Sequence, residues 1–226
     1  MKIVVQNLQK RSGLASRLIE ENDPDIFLAQ EINLLSEKEE YEFDKACYTT
    51  DIWYGFGYYR HGTAMYARKN SDGESPISNV RRVECPHSEF AWMVTKKTTI
   101  ADINIGGVVQ YVTFHGFNNM PFRNVQKLVD HVRAVIEVLR PTGPAMFAGD
   151  FNTWDQVYLD AVKAELEPHG FLLVYSWEYP TRDFPLDHVF VRGLVIRTAA
   201  SFASESDHLG AILEIDVADD GVSDEE

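Results

Sequence analysis

Short apolar runs that stop abruptly at polar residues recur along the chain. Lys2-Ile3-Val4-Val5-Gln6-Asn7 ends in an amide, and Asp25-Ile26-Phe27-Leu28-Ala29-Gln30-Glu31 ends in a carboxylate. Val108 to Phe114 runs into His115-Gly116-Phe117-Asn118, and Pro144 to Ala148 runs into Gly149-Asp150-Phe151-Asn152. Apolar stretches of this length, closed by turn-forming residues, predict strands, with Pro144 to Ala148 of the kind that is buried. Between the first two runs, Leu14, Leu18 and Ile19 keep helical spacing up to Asn22-Asp23-Pro24, where the proline ends the helix. A strand–helix–strand opening predicts a parallel pair, with Asn7 and Glu31 at the same end.

The most regular helical stripe is Val125, Leu128, Val129, Val132, Val135, Ile136 and Leu139, between Pro121 and Pro141. Leu159, Val162 and Leu166 mark another helix, running to about Pro168. Thr153 with Gln156 three residues on matches a capping box, which starts this helix near Asp155. Residues 33–50 are mixed and charged and are expected to be loop with one short helix. Trp53 to Lys69 is rich in aromatics and predicts a β-hairpin around Arg60-His61-Gly62; Trp53, Tyr54, Phe56, Tyr58 and Tyr59 are expected to be core and hairpin pairs rather than a base-stacking platform. Strands are expected over Val80–Val83 and 91–102, with Gly106-Gly107 as a turn, and closing strands over 171–174, 186–191, 194–200 and 211–217. No Gly-, Ser- or Pro-rich linker and no fixed-period repeat interrupts the chain, so one α/β domain spanning 1–216 is expected.

Charge changes the picture at one end. The 226 residues carry a net charge of −14, and six of the acids lie in the last eleven residues, which hold no Lys or Arg. Residues 217–226 are therefore expected to be an acidic, solvated tail. An acidic body argues against tight sequence-independent binding to long duplex DNA, which depends on neutralising many phosphates. Cys47 and Cys85 are too few for a disulfide framework, so free thiols are expected. No stretch has the length of a membrane-spanning helix and the first strand starts almost at Met1, from which a cytoplasmic protein without membrane attachment, monomeric by default, is expected.

The polar residues at the strand ends are Asn7, Glu31, His115, Asn118, Asp150, Asn152, Asp187-His188 and Asp207-His208. Open α/β sheets bind ligands beyond the carboxyl ends of their strands. Mg²⁺ takes one or two carboxylates and receives further oxygens from water and substrate phosphate, which Glu31 with Asp150 or Asp207 would supply. With cysteine absent from this set and no helical His-x-x-x-His pair, a dedicated structural zinc site is not expected.

Taken in order, Gln6-Asn7, Gln30-Glu31, Gly62-Thr63-Ala64-Met65-Tyr66-Ala67-Arg68, Phe114-His115-Gly116-Phe117-Asn118, Gly149-Asp150-Phe151-Asn152, Leu186-Asp187-His188-Val189-Phe190 and Ser206-Asp207-His208 form a series that resembles the endonuclease/exonuclease/phosphatase superfamily, in particular its small bacterial members of unassigned substrate. The resemblance covers nearly the whole chain. It implies a four-layer α/β/β/α sandwich, two mixed β-sheets packed face to face and flanked by helices, with the site at one end of the sheets. It further implies Glu31 as the main ligand of Mg²⁺ or Mn²⁺, with Asn7 beside it and Asp207 in the metal network. Asp150 would activate the attacking water, and Asn152 would hold that water and a phosphate oxygen. His208, oriented by Asp187, would stabilise the phosphate's developing charge, while His115 and Asn118 would contact phosphate and assist the leaving group. His188 stands where relatives carry an aromatic and is expected to be structural.

The implied activity is a divalent-metal-dependent phosphoester hydrolase. Short loops between the motifs, and nearby bases limited to Lys10, Arg11, Arg123 and Arg182, favour a phosphodiesterase or nuclease acting on short or single-stranded nucleic acid or a nucleotide-like diester. The alternatives are a phosphomonoesterase acting on a small phosphorylated metabolite or lipid headgroup, and a catalytically silent member that binds protein.

Overall fold

The computed structural model describes residues 1–54, 57–89, 94–118 and 123–218. The tail beyond residue 218, Phe56, Asn119, Pro121 and the side chains of Trp53, Tyr54 and Tyr58 lie outside what is described. Fifteen principal elements follow one another: β1 (Lys2–Asn7), α1 (Leu14–Asn22), β2 (Ile26–Asn33), β3 (Phe43–Tyr54), β4 (Gly57–Arg68), β5 (Ile77–Glu89), β6 (Val94–Asn104), β7 (Val108–His115), α2 (Val125–Ile136), β8 (Ala145–Asp150), α3 (Gln156–Leu166), β9 (Leu172–Tyr179), β10 (Arg182–Arg192), β11 (Leu194–Phe202) and β12 (Gly210–Val217).

They form two six-stranded mixed sheets, ordered β11-β12-β1-β2-β4-β3 and β5-β6-β7-β8-β10-β9. Each sheet has one parallel pair at its centre, β1–β2 joined through α1 and β7–β8 joined through α2, and antiparallel neighbours on both sides. The strand–helix–strand unit of the opening residues thus occurs twice, once at the heart of each sheet. Parallel pairing puts the carboxyl ends of all four central strands on one rim.

Alternate residues of each central strand serve different layers. Ile3, Val5, Ile26 and Leu28 face Tyr111, Met146, Ala148 and Val189 between the sheets. Val4, Phe27 and Ala29 point outward and are covered by Leu14, Leu18 and Ile19 of α1. On the other outer face Val112, Phe114, Phe147 and Phe190 pack under Leu128, Val132 and Val135 of α2 and Leu159, Val162 and Leu166 of α3. Both strand faces are dry, which is why these strands appear in the sequence as unbroken apolar runs. Fully burying each such side chain stabilises the fold by about 1.5–3 kcal/mol. The result is the α/β/β/α sandwich, with α1 outside one sheet and α2 and α3 outside the other.

Three local expectations are corrected. The segment expected to be loop contains a single 3₁₀ turn at Leu34–Ser36 and then the long strand β3 from Phe43. The expected turn at Arg60-His61-Gly62 is instead the interior of β4, which pairs with β3 from Tyr54↔Gly57 to Phe43↔Arg68. Gly62 is small for closeness: a Cβ there would lie 2.1 Å from the Tyr48 carbonyl oxygen. The capping box is not formed either. Asp155 is the N-cap of α3, accepting from the Val157 and Tyr158 amides, while Thr153 donates to the Pro185 carbonyl. Cys47 and Cys85 are free thiols, and no helix among the described residues is long and apolar enough to cross a membrane.

Candidate active site

At the carboxyl ends of the central strands the apolar core gives way to a polar floor. Gln30 reaches across the sheets to donate to Thr113 Oγ1 at 2.8 Å, and the Thr63 and Thr99 hydroxyls share a hydrogen bond of 2.8 Å. Gly149 allows this approach: its φ is 135°, and a Cβ would lie 2.3 Å from the Phe114 carbonyl oxygen and 2.9 Å from the Gln30 side chain. Above that floor stand Asn7, Glu31, His115 and Asp150, one from each central strand. Glu31 sits at φ 50° in a bulge of β2, where the register against β4 shifts between Gln30 and Ile32. The bulge turns its carboxylate inward.

Asp150 is fixed by two donors. Its Oδ2 accepts from Asn7 Nδ2 at 3.0 Å and its Oδ1 from the Asn152 amide at 2.9 Å. Burial pushes its carboxyl up to about 7, against the pull of His208. Asn152 holds φ 54°, tolerated by a short amide side chain that donates to the Gly116 carbonyl at 3.2 Å. His208 Nδ1 lies 2.7 Å from Asp187 Oδ2 and its Nε2 3.8 Å from Asp150 Oδ2, while Tyr179 stands edge-on to the imidazole at 4.7 Å. Burial alone would lower the imidazole, but the Asp187 and Asp150 carboxylates overcome it and raise His208 to about 10. The ring is therefore a cation at neutral pH, with its Nε2 edge turned toward Asp150. Register brings the pair together, since Asp187 sits directly across from Asp150 in the β10–β8 ladder.

Around Glu31 the arrangement is denser in nitrogen than expected. Its Oε2 pairs with Lys10, and its Oε1 lies 3.5 Å from His115 Nε2 and 3.9 Å from Lys96 Nζ. Burial opposes ionisation of Glu31, but the Lys96 and Lys10 ammoniums beside it outweigh that and hold the carboxyl well below the usual range. Lys96 is itself buried, 3.6 Å from Glu89 and 2.6 Å from His115 Nε2. Burial and the Lys96 charge push His115 well below its ordinary value, so it meets the ammonium as a neutral acceptor. His61, from the middle of β4, completes the group: Glu31, His61 and His115 offer ligand atoms all within 4.8 Å of one another. Among the described residues His61 Nδ1 is buried with no hydrogen-bond partner, as are Asp187 Oδ1 and Asn118 Oδ1.

The structure thus brings Asn7, Glu31, His115, Asp150, Asn152, Asp187 and His208 to one mouth. Asn118 sits beside it, its amide donating to Glu89. Asp207 stands apart from the Glu31 group: it is exposed, and its Oδ2 accepts from the Tyr179 hydroxyl at 3.0 Å. His188 is buried between the Thr153 and Ser176 hydroxyls, as expected of a structural residue. His61 and Lys96 were not among the expected site residues. His61 belonged to a segment that looked like a turn, and Lys96 is one of two adjacent lysines whose side chains leave β6 in opposite directions, Lys97 toward Glu84. Nothing in the sequence distinguishes one lysine from the other.

The model of the Endonuclease/Exonuclease/phosphatase family matches residues 5–208 of this chain. A UPF0294 protein of Vibrio vulnificus is 38% identical over 137 residues, which are 56% of this chain and 48% of that protein. The chain spans about half the length of the curated relatives it matches. An endonuclease/exonuclease/phosphatase family protein from Leptotrichia buccalis superposes with a TM-score of 0.67 at 17% identity, covering 96% of this chain and 99% of the other. D. rerio TDP2 complexed with single strand DNA product gives 0.63 at 17%, covering 96% and 98%.

Proposed function

Because the chain belongs to the endonuclease/exonuclease/phosphatase family, we propose that it is a divalent-metal-dependent phosphoester hydrolase, and within that class a phosphodiesterase acting on short or single-stranded nucleic acid or a nucleotide-like diester. The observation that carries the assignment is the convergence of Glu31, Asp150 and the His208–Asp187 pair at one mouth, although the chain separates Glu31 from His208 by the length of almost the whole fold. Such a set has the parts that phosphoryl transfer requires: a base for water, donors for the non-bridging oxygens and a seat for a cation.

The residues fit a divalent ion. One carboxylate and two imidazoles converge, and a buried His61 nitrogen lacks any partner among the described residues. Glu31, His61 and His115 would hold the metal, the carboxylate suiting Mg²⁺ or Mn²⁺ and the two imidazoles suiting a first-row ion. Lys10, a third exposed on a flexible stem, is the cation an incoming ion would replace on Glu31. When bound, the metal supplies Lewis-acid stabilisation of charge on the phosphate oxygens.

The remaining chemistry belongs to the chain. Asp150, locked by Asn7 and Asn152, is the base that orients the water and takes its proton. His208, kept protonated by Asp187, donates through Nε2 to a non-bridging oxygen as negative charge builds. Asn152 holds the phosphate close to Asp150. Buried Lys96 adds a positive charge beside Glu31 and Glu89 that attracts the anionic substrate, and an ion on His115 would displace the ammonium from that ring. The acidic body supports a short substrate over long duplex, and the single strand DNA product in the TDP2 complex supports a nucleic acid strand.

The test compares bis-p-nitrophenyl phosphate with p-nitrophenyl phosphate, with and without Mn²⁺ or Mg²⁺. Metal-dependent turnover of the diester is expected, together with a rise in Tm on adding metal that Glu31→Ala abolishes; an ion at a hundredfold its Kd stabilises by about 2.7 kcal/mol. Turnover of the monoester alone would establish the phosphomonoesterase alternative. Absence of any metal-dependent stabilisation or turnover would establish a silent binding protein.

A further inference from the structure

One cluster at the mouth has no part in the chemistry above. Trp154, two residues beyond Asn152, carries two guanidinium groups over its ring: Arg123 at 4.0 Å and Arg182 at 3.8 Å from the centroid. Arg123 precedes α2 and Arg182 begins β10, so two separate segments deliver like charges to one indole. Arg182 also lies 5.5 Å from the Tyr179 ring, and Tyr179 stands edge-on to His208. The arginine is therefore one tyrosine ring away from the imidazole.

Charge bookkeeping sets Arg182 apart. In this acidic protein Arg17, Arg60, Arg68, Arg133 and Arg197 each pair with a carboxylate. The Arg182 guanidinium has no ion pair or hydrogen bond among the described residues, although it is exposed and Asp183 follows it directly. Arg182 therefore brings an uncompensated positive charge to the rim of the indole, which a bound anion would offset. Stacking fixes the plane of a guanidinium and leaves its edge N–H donors directed outward, the geometry that grips phosphate oxygens in pairs.

We propose that Arg123, Trp154 and Arg182 form a subsite for a phosphate neighbouring the scissile one, so that the enzyme prefers an oligonucleotide strand to an isolated diester. The proposal rests on the phosphodiesterase assignment and adds the determinant of its substrate length. The two arginines act by binding and positioning; neither reaches the reacting atoms.

The test reads binding without turnover. Anisotropy of a short fluorescently labelled oligothymidylate is followed against salt in excess EDTA for wild type, for the double variant Arg123→Ala/Arg182→Ala, and for Arg197→Ala as a control arginine paired with Asp216. Each phosphate contact on a single strand contributes about 0.7 to the slope of log K against log[salt], so the double variant is expected to lose about 1.4 from that slope while the control loses none. Should the double variant lower Tm, Arg182→Gln, which keeps a stem over the indole, is expected to lose about 0.7. The ratio of kcat/KM on the oligonucleotide to that on bis-p-nitrophenyl phosphate is expected to fall about tenfold or more, chiefly through KM on the oligonucleotide. An unchanged slope, an equal loss in the Arg197 control, or no binding by wild type overturns the subsite even if the diester is hydrolysed. A wild-type protein that turns over no phosphoester removes the assignment on which the subsite rests, and the subsite with it.

Discussion

Replacing Asp187 with Asn tests the electrostatic core of the site. His208 Nδ1 lies 2.7 Å from Asp187 Oδ2, the two residues being 7% and 1% exposed. The groups facing His208 are Asp187 from β10, Asp150 from β8, Tyr179 from β9 and the adjacent Asp207, and together the carboxylates raise it from 6.5 to about 10. At 1.36 kcal/mol per pH unit, the whole elevation corresponds to about 5 kcal/mol of preference for the protonated ring. Asp150 and Asp207 share in it, and breaking one partner of a buried pair costs about 3–5 kcal/mol, so about 3 kcal/mol is assigned to Asp187. For a chain of this size that is a fall in Tm of about 6–12 °C at neutral pH.

The pH dependence follows from the direction of the elevation. A group whose folded pKa is raised contributes stability that is complete below its unfolded value and vanishes as pH climbs through its folded value. The stability gap between wild type and Asp187→Asn is therefore widest below about pH 6.5 and narrows toward about pH 10. Denaturant unfolding across that range, with NMR titration of the His208 ring in both proteins, measures it. Loss of an oriented proton donor also lowers kcat by roughly 10²–10⁴. A wild-type His208 that titrates near 6.5, or a gap that does not change with pH, would refute the reasoning.

The remaining predictions probe backbone and cap. Gly149→Ala places a Cβ 2.3 Å from the Phe114 carbonyl oxygen at φ 135°, and is expected to destabilise by more than about 3 kcal/mol, seen as loss of cooperative unfolding or of soluble protein. Asp155→Ala removes the acceptor for the Val157 and Tyr158 amides and is expected to cost about 1 kcal/mol in denaturant unfolding. Gln156→Ala, at the position a capping box would use, is expected to change stability by less than about 0.5 kcal/mol; an equal cost at both positions would restore the box.

Composition and pattern by themselves determined the strand runs, the parallel opening of β1–α1–β2 and the amphipathic face of α2. Those signals depend on neighbours along the chain, and the ordered motif series needed only residue identity. Glu31 and Asp150 were legible for the same reason, since each stands where an apolar run ends. Pattern misled where one residue type has two uses. Gly62 looked like a turn and is instead the point at which β4 passes close under Tyr48, a distinction that depends on a strand more than ten residues away. Thr153 and Asp155 are both capping residues by type, and the packing of Thr153 against Pro185 and His188 decided between them.

Only the tertiary structure decided which groups meet. His61 joins Glu31 because β4 pairs beside β2, Lys96 enters because the second sheet stacks on the first, and Asp187 reaches His208 because β10 and the loop before β12 converge on opposite sheets. Electrostatic energy depends on separation in space, on the order of a few ångströms, and burial weakens the screening that water would supply. Linear order carries neither distance nor dielectric, so the residues of this site could be named from the chain while their protonation, partners and cation-binding geometry waited on the fold.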